Sequence, residues 1–199
     1  MLQRAAARCR PLVVSDPTWS GARRRRYGGA PSPCTLEGEP SGRTLAILKH
    51  DTLQRALLGE ITQRFERRGL KLIGLKLTRP TRALVEEHYA QLVGKPYFER
   101  ACLILGSGPV VAAVWEGRGV VGAVRQLVGP TEPLDGRPGT IRFDFGSHWR
   151  RNLIHASDDA DAAAREIRLW FAADEICAWE QACAPWIYEL PNAPTSDAI

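Results

Sequence analysis

The stretch RNLIHASDD, residues 151–159, carries an apolar pair, Leu153-Ile154, straight into a histidine. It then runs through Ser157-Asp158-Asp159 into an alanine-rich helical pattern. His155 therefore stands where a strand stops and a helix is about to start. Two readings fit that placement: a surface histidine beside a helix cap, or an imidazole aimed from a stiff support. Glu166 follows eleven residues later, at the edge of the apolar stripe Ala163, Ile167 and Trp170. A carboxylate that accepts a hydrogen bond from one ring nitrogen fixes the tautomer and leaves a lone pair on the other. A nucleophilic histidine requires that lone pair. Lys49, Arg125, Thr131 and Arg142 fall at ends of elements or in a Pro/Gly-rich loop at 129–140. Arginine forks match phosphate oxygens in pairs, and lysine supplies a point charge. There is no GxxxxGK[ST] loop. Tyr97 and Trp149, near loop edges, have faces on which a base can stack. Taken singly, each of these residues reads more readily as packing or surface than as part of a site.

Elements must hold these groups in place. TLAILK (44–49) reads as a buried strand, and Leu57, Leu58, Ile61 and Phe65 repeat at helical spacing. That helix stops at Arg67-Arg68-Gly69, a basic last turn and a glycine. LKLIGLKLT (70–78) has strand periodicity with a bulge expected at Gly74. Helical segments are expected over 81–92 and 98–105, a strand over 108–116, and a helix over 120–128 closed by Gly129. NLIHA is the last strand, and a helix begins at Ala160. On an ideal strand, Asn152 and His155, three apart, face opposite ways. The order is βαββαβ, which predicts an α+β fold: a ferredoxin-like antiparallel sheet with helices on its face.

The 199 residues suit one domain with tails, 44% hydrophobic and 25% charged. Residues 1–42 read as a disordered basic arm, 43–190 as the domain and 191–199 as a short tail. The arm holds seven arginines against three acids, a net of +4 out of +5 for the chain. An argument from overall charge to a nucleic-acid partner is therefore misplaced, and no specific nucleic acid is expected. The first ten residues, MLQRAAARCR, are arginine-rich and acid-free up to Pro11, the composition of an organelle transit peptide. Mitochondrial localisation is expected, with a cytoplasmic chain carrying a basic tail as the alternative. The five cysteines form no CxxC pair and no zinc spacing, which suggests free thiols in a reducing compartment.

The residues in their order resemble the nucleoside diphosphate kinase family from about 43 to 189. The matching stretches are RTLAILKHD, GEITQRFERRGLKLIGLKL, EEHYAQLVGKPYF, SGPVVAAVWEG, PGTIRFDF, RNLIHASD, EIRLWF and WIYE. The resemblance implies a ping-pong phosphotransferase. His155 would accept the terminal phosphoryl group of a nucleoside triphosphate and pass it to a nucleoside diphosphate. Glu166 would orient the imidazole, with Ser157 beside it and Tyr89 as the active-site tyrosine. Lys49 and Asn152 would meet the ribose hydroxyls, Lys49 also the transferred phosphate. Arg125, Thr131 and Arg142 would clamp the phosphates. Tyr97 would stack on the base, and Trp149 would stand on its other side. The family uses Mg2+, bound through nucleotide phosphates and not through protein ligands, and its eukaryotic-type members form homo-hexamers.

The chain departs from the family pattern at several points. Lys-Pro-Asp-Gly becomes Lys49-His50-Asp51-Thr52. Thr-Ile-Arg-Gly-Asp-Phe becomes Thr140-Ile141-Arg142-Phe143-Asp144-Phe145, which strains the backbone if that glycine sits at positive φ. Trp149 is larger than the usual occupant, and Ala156 replaces a glycine. These changes motivate one rival: a catalytically weak member acting as a scaffold, or binding anionic lipid through the basic arm or surface. An RNA-recognition module on the same fold needs an aromatic-studded strand, which GPVVAAVWE lacks.

Overall fold

The computed structural model describes residues 41–188. The basic arm, apart from its last two residues, and the 191–199 tail lie outside them. Four strands form one antiparallel sheet: β1 (Ser41–Leu48), β2 (Lys71–Thr78), β3 (Val110–Arg118) and β4 (Ile154–Ala156), in the order β2-β3-β1-β4. Regular structure thus begins two residues ahead of the expected Arg43. Helix α1 (His50–Gln54) follows β1 directly, and α2 (Leu58–Arg67) leads into β2. Helices α3 (Arg82–His88) and α4 (Phe98–Leu105) separate β2 from β3. Next come α5 (Val120–Val128) and α6 (Ile141–Phe145), and after β4 the helices α7 (Ala160–Trp170) and α8 (Ala184–Ile187). The segment expected as one helix over 81–92 is α3 followed by a separate 3-10 turn, Ala90–Leu92.

β1 and β3 are central and read as continuous apolar runs because both of their faces are covered. Ala46, Leu48, Val111, Ala113 and Trp115 point to one layer, with Ile61 and Phe65 of α2 and Val120, Val124 and Val128 of α5. Phe65 and Trp115 meet edge to face at 5.2 Å. These are the two helices that the βαββαβ order supplies. Leu45, Ile47, Val110, Ala112 and Val114 point the other way, to Val85 of α3, Cys102 and Leu105 of α4, and Trp170 of α7. Helices thus cover both faces, and the second layer comes from segments outside the core motif.

Gly74 marks a register break between Leu72 and Gly74, the bulge its place in the strand predicts. Gly69 ends α2 at φ +85. No helix among the described residues is long and apolar enough to cross a membrane.

Candidate active site

His155 sits at the middle of β4, opposite Ile47 of β1, with its side chain 15% exposed. Its Nε2 is 3.0 Å from Glu166 Oε2 on α7. Glu166 is 1% exposed and also accepts from Ser157 Oγ at 2.8 Å. Burial pushes the Glu166 carboxyl up, but the hydrogen bond and charge of His155, the His88 charge and the Ser157 hydrogen bond together hold the group below the usual carboxylate range. It is therefore a carboxylate that accepts Nε2–H, and Nδ1 keeps its lone pair. The Ser157 hydroxyl is in turn anchored to β1, accepting from Leu45 N at 3.3 Å.

His88, the last residue of α3, is wholly buried with its ring 4.5 Å from that of His155. Nothing in the sequence marks it beyond its place beside Tyr89. Trp170 Nε1 donates to His88 Nδ1 at 3.2 Å, so the His88 proton resides on Nε2. One ring nitrogen each of His88 and His155 and a Glu166 oxygen lie within 4.8 Å of one another. Three such atoms have metal-ligand spacing, but a protonated Nε2 has no lone pair to offer. Moving the proton to Nδ1 would set two N–H groups head to head, so the trio is not a metal site in this arrangement. Tyr89 stands 6.3 Å from His155, and burial raises its phenol above the ordinary range.

Burial, and then the His155 charge, lower His88 to about 3. The folded chain therefore refuses a proton that the unfolded chain takes near 6.5. Stability is untouched above that pH and is lost as pH falls from about 6.5 toward 3, by roughly 2 kcal/mol at pH 5. Melting curves between pH 7 and 5 should show this slope, and His88→Phe should flatten it. Equal slopes in both proteins would assign the effect elsewhere.

A second network joins the remaining candidates. Lys49, immediately after β1, donates to Asn152 Oδ1, and Asn152 Nδ2 donates to the Thr131 carbonyl at 3.0 Å. Burial, then the nearby Arg142 charge, lower Lys49 to about 8. Arg142, on α6, donates to three main-chain carbonyls: Asn152 at 3.3 Å, Gly129 at 3.0 Å and Ile154 at 2.7 Å. Burial, then the Arg125 charge, lower it to about 10, so it remains a cation at neutral pH. Arg125 pairs with Asp158 at the mouth of the site. A phosphate arriving there competes with a carboxylate already in place. Tyr97 and Trp149 are at the surface, Tyr97 beneath Lys95 and Trp149 stacked on His148 at 5.9 Å with Arg150 over its ring.

The Asn152/His155 spacing has a local cause. Asn152 is not on the strand but ends a 3-10 turn, Trp149–Arg151. Leu153 then takes φ +69, and Ile154 N bonds back to Asn152 O at 2.8 Å. Those two facts define a γ-turn of the rare positive-φ kind, a conformation costing on the order of 1–3 kcal/mol in a non-glycine residue. The reversal brings the carbonyls of Asn152 and Ile154 to the Arg142 guanidinium. Phe143 carries no such strain. It lies inside α6, capped by Thr140 Oγ1 at 3.4 Å, and among the described residues only Ala56 and Leu153 combine a side chain with positive φ.

Residues 42–176 match the family model described as nucleoside diphosphate kinase. A nucleoside diphosphate kinase of Thermosynechococcus vestitus is 49% identical over 74% of this chain and 99% of its own. Human nucleoside diphosphate kinase 3 is 48% identical over 80% and 92%. Among solved structures, a halophilic nucleoside diphosphate kinase from Halobacterium salinarum in complex with CDP superposes with TM-score 0.73. It is 44% identical and covers 74% of this chain and 99% of its own.

Proposed function

Because the chain belongs to the nucleoside diphosphate kinase family, we infer that the phosphoryl group it transfers travels on His155 Nδ1. The overall reaction passes the terminal phosphoryl group of a nucleoside triphosphate to a nucleoside diphosphate. The observation that carries the assignment is the 3.0 Å contact of Nε2 with a buried carboxylate, which leaves Nδ1 as the nucleophile. In the first half-reaction Nδ1 attacks the terminal phosphorus. The Nδ1–P bond forms, the bond to the bridging oxygen breaks, and the diphosphate leaves with that electron pair. Positive charge grows on the imidazole, and the Glu166 carboxylate stabilises it through Nε2–H. A second diphosphate then attacks the phosphohistidine, and the steps reverse. Such transfers leave the protein mainly positioning and charge stabilisation to supply. Lys49, Arg142 and Arg125 provide the positive field for the phosphates. Asn152 and Lys49 meet the ribose end, and Tyr89 closes the pocket beside the imidazole.

Mg2+ fits this donor set through the nucleotide. Glu166 is committed to His155 and Ser157, Asp51 to the Leu153 amide and Asp158 to Arg125, so the ion's oxygens come from the phosphates. When bound, it neutralises charge on the phosphate chain. Tyr97 stacks on the base, with Trp149 on its other side, and stacking tolerates every base because each has a π-face. The exposed edge strand β2, with Leu75 51% and Leu77 67% accessible, supports burial in a homo-hexamer. The arginine-rich, acid-free start supports mitochondrial import, and the basic arm also suits an anionic lipid surface. A non-catalytic scaffold is not favoured, because every chemical group of the family site is present.

Incubating the chain with γ-labelled ATP and Mg2+ tests the carrier. An acid-labile, alkali-stable label near one per chain is expected, discharged completely by added GDP. No label at micromolar protein, or a label that GDP does not remove, would overturn the assignment.

A further inference from the structure

We propose that Thr52 is a positioning residue for the reacting histidine, acting through the strained turn at Leu153. The inference rests on the reading of His155 as phosphoryl carrier. Thr52 is wholly buried in α1, and its Oγ1 donates to the Leu153 carbonyl at 2.7 Å. The same carbonyl accepts from Lys49 N at 2.7 Å, and the Leu153 amide donates to Asp51 Oδ2 at 3.0 Å. Three bonds from one four-residue segment thus hold both polar groups of the residue that adopts φ +69. On the far side, Arg142 holds the carbonyls of Asn152 and Ile154. The turn is saturated from two directions, and His155 is the residue directly after it. Left to itself, Leu153 favours an ordinary extended conformation that would swing Asn152 and the imidazole apart.

Thr52 and His50 stand where the family pattern has glycine and proline. A proline ring fixes φ and stiffens such a turn, and a glycine offers no side-chain bond. Here the restraint is supplied differently. The His50 ring packs against Gly108, where a Cβ would lie 2.6 Å from its Cε1 and Cγ, and Thr52 adds the hydroxyl bond to Leu153. The two departures act together: one docks the start of α1, and the other ties α1 to the γ-turn. Thr52 does not touch the reacting atoms. Its effect is to keep the near-attack placement of His155 populated.

The test is the single-turnover rate constant of His155 phosphorylation at saturating ATP, measured well below the melting temperature. Thr52→Val, which keeps the shape and removes the donor, should lower that rate about tenfold with the half-saturating ATP concentration changed less than threefold. Thr52→Ser should restore it to within about threefold. Thr52→Gly should be slow alone and should recover in the double variant His50→Pro/Thr52→Gly, which rebuilds the other form of restraint. This pair also carries the test if the valine variant does not fold. Rates within twofold of the parent for Thr52→Val and Thr52→Gly would overturn the proposal, as would a Thr52→Ser rate as slow as that of Thr52→Val. If instead the parent takes no label, the carrier assignment itself has failed.

Discussion

His155→Asn is expected to lower phosphoryl transfer by on the order of 10⁴-fold or more while leaving the melting temperature within a few degrees of the parent. The size follows from what is removed. A nucleophile that splits the reaction into two half-steps has no substitute in the site, and removing such a group forfeits most of the catalytic unit's effect. Four decades of rate correspond to about 5.5 kcal/mol of transition-state stabilisation. Stability is spared because the imidazole is partly exposed and an asparagine amide can still donate to Glu166. The check is a coupled assay beside the labelling experiment, and both signals should vanish together. Glu166→Gln separates the roles further. The glutamine still accepts a hydrogen bond but carries no charge to meet the developing imidazolium, so a loss of roughly 10²-fold with label still detectable is expected. A His155→Asn enzyme retaining a hundredth of the parental rate would place the transferred group on another residue.

Residue types alone do not single out the candidate groups of this site; the family resemblance does, and the geometry is legible from neither. The β3 run, α4 and α5 follow from apolar periodicity, and the Gly74 bulge from one glycine in an alternating strand. Those features are local and local rules find them. The sequence marks α3, α4 and α7 as helices but not the sheet face they cover, because their partners on β1 and β3 are distant in sequence. The γ-turn was missed for a stronger reason. Nothing in a leucine favours φ +69, and the conformation is imposed by donors and acceptors about a hundred residues earlier in the chain. His88 was overlooked because a buried neutral histidine has no sequence pattern of its own. The strain foreseen at Phe143 dissolves because that position is helical, where a side chain costs little.

Arg142 carries the second large effect, and its sign discriminates two roles. A residue that only clamps phosphate is a burden in the nucleotide-free protein, because it buries a cation beside Lys49 and Arg125. Arg142→Met would then stabilise the empty chain by relieving that repulsion. The hydrogen bonds predict the reverse. The guanidinium satisfies the carbonyls of Gly129 and Ile154 and reinforces the bond at Asn152 that closes the γ-turn. Removing it leaves two carbonyls unpaired at roughly 1–3 kcal/mol each. We therefore expect Arg142→Met to destabilise the nucleotide-free protein by about 3 kcal/mol and to slow transfer on the order of 10³-fold. Arg142→Lys keeps the charge but loses the planar fork that reaches three acceptors at once. It should recover some nucleotide affinity and little of the stability. Denaturant melts without nucleotide, read beside kcat and KM, decide the matter. A methionine variant more stable than the parent would make Arg142 a phosphate ligand alone. A destabilised one shows that the residue proposed to meet the phosphates also holds the turn that precedes His155.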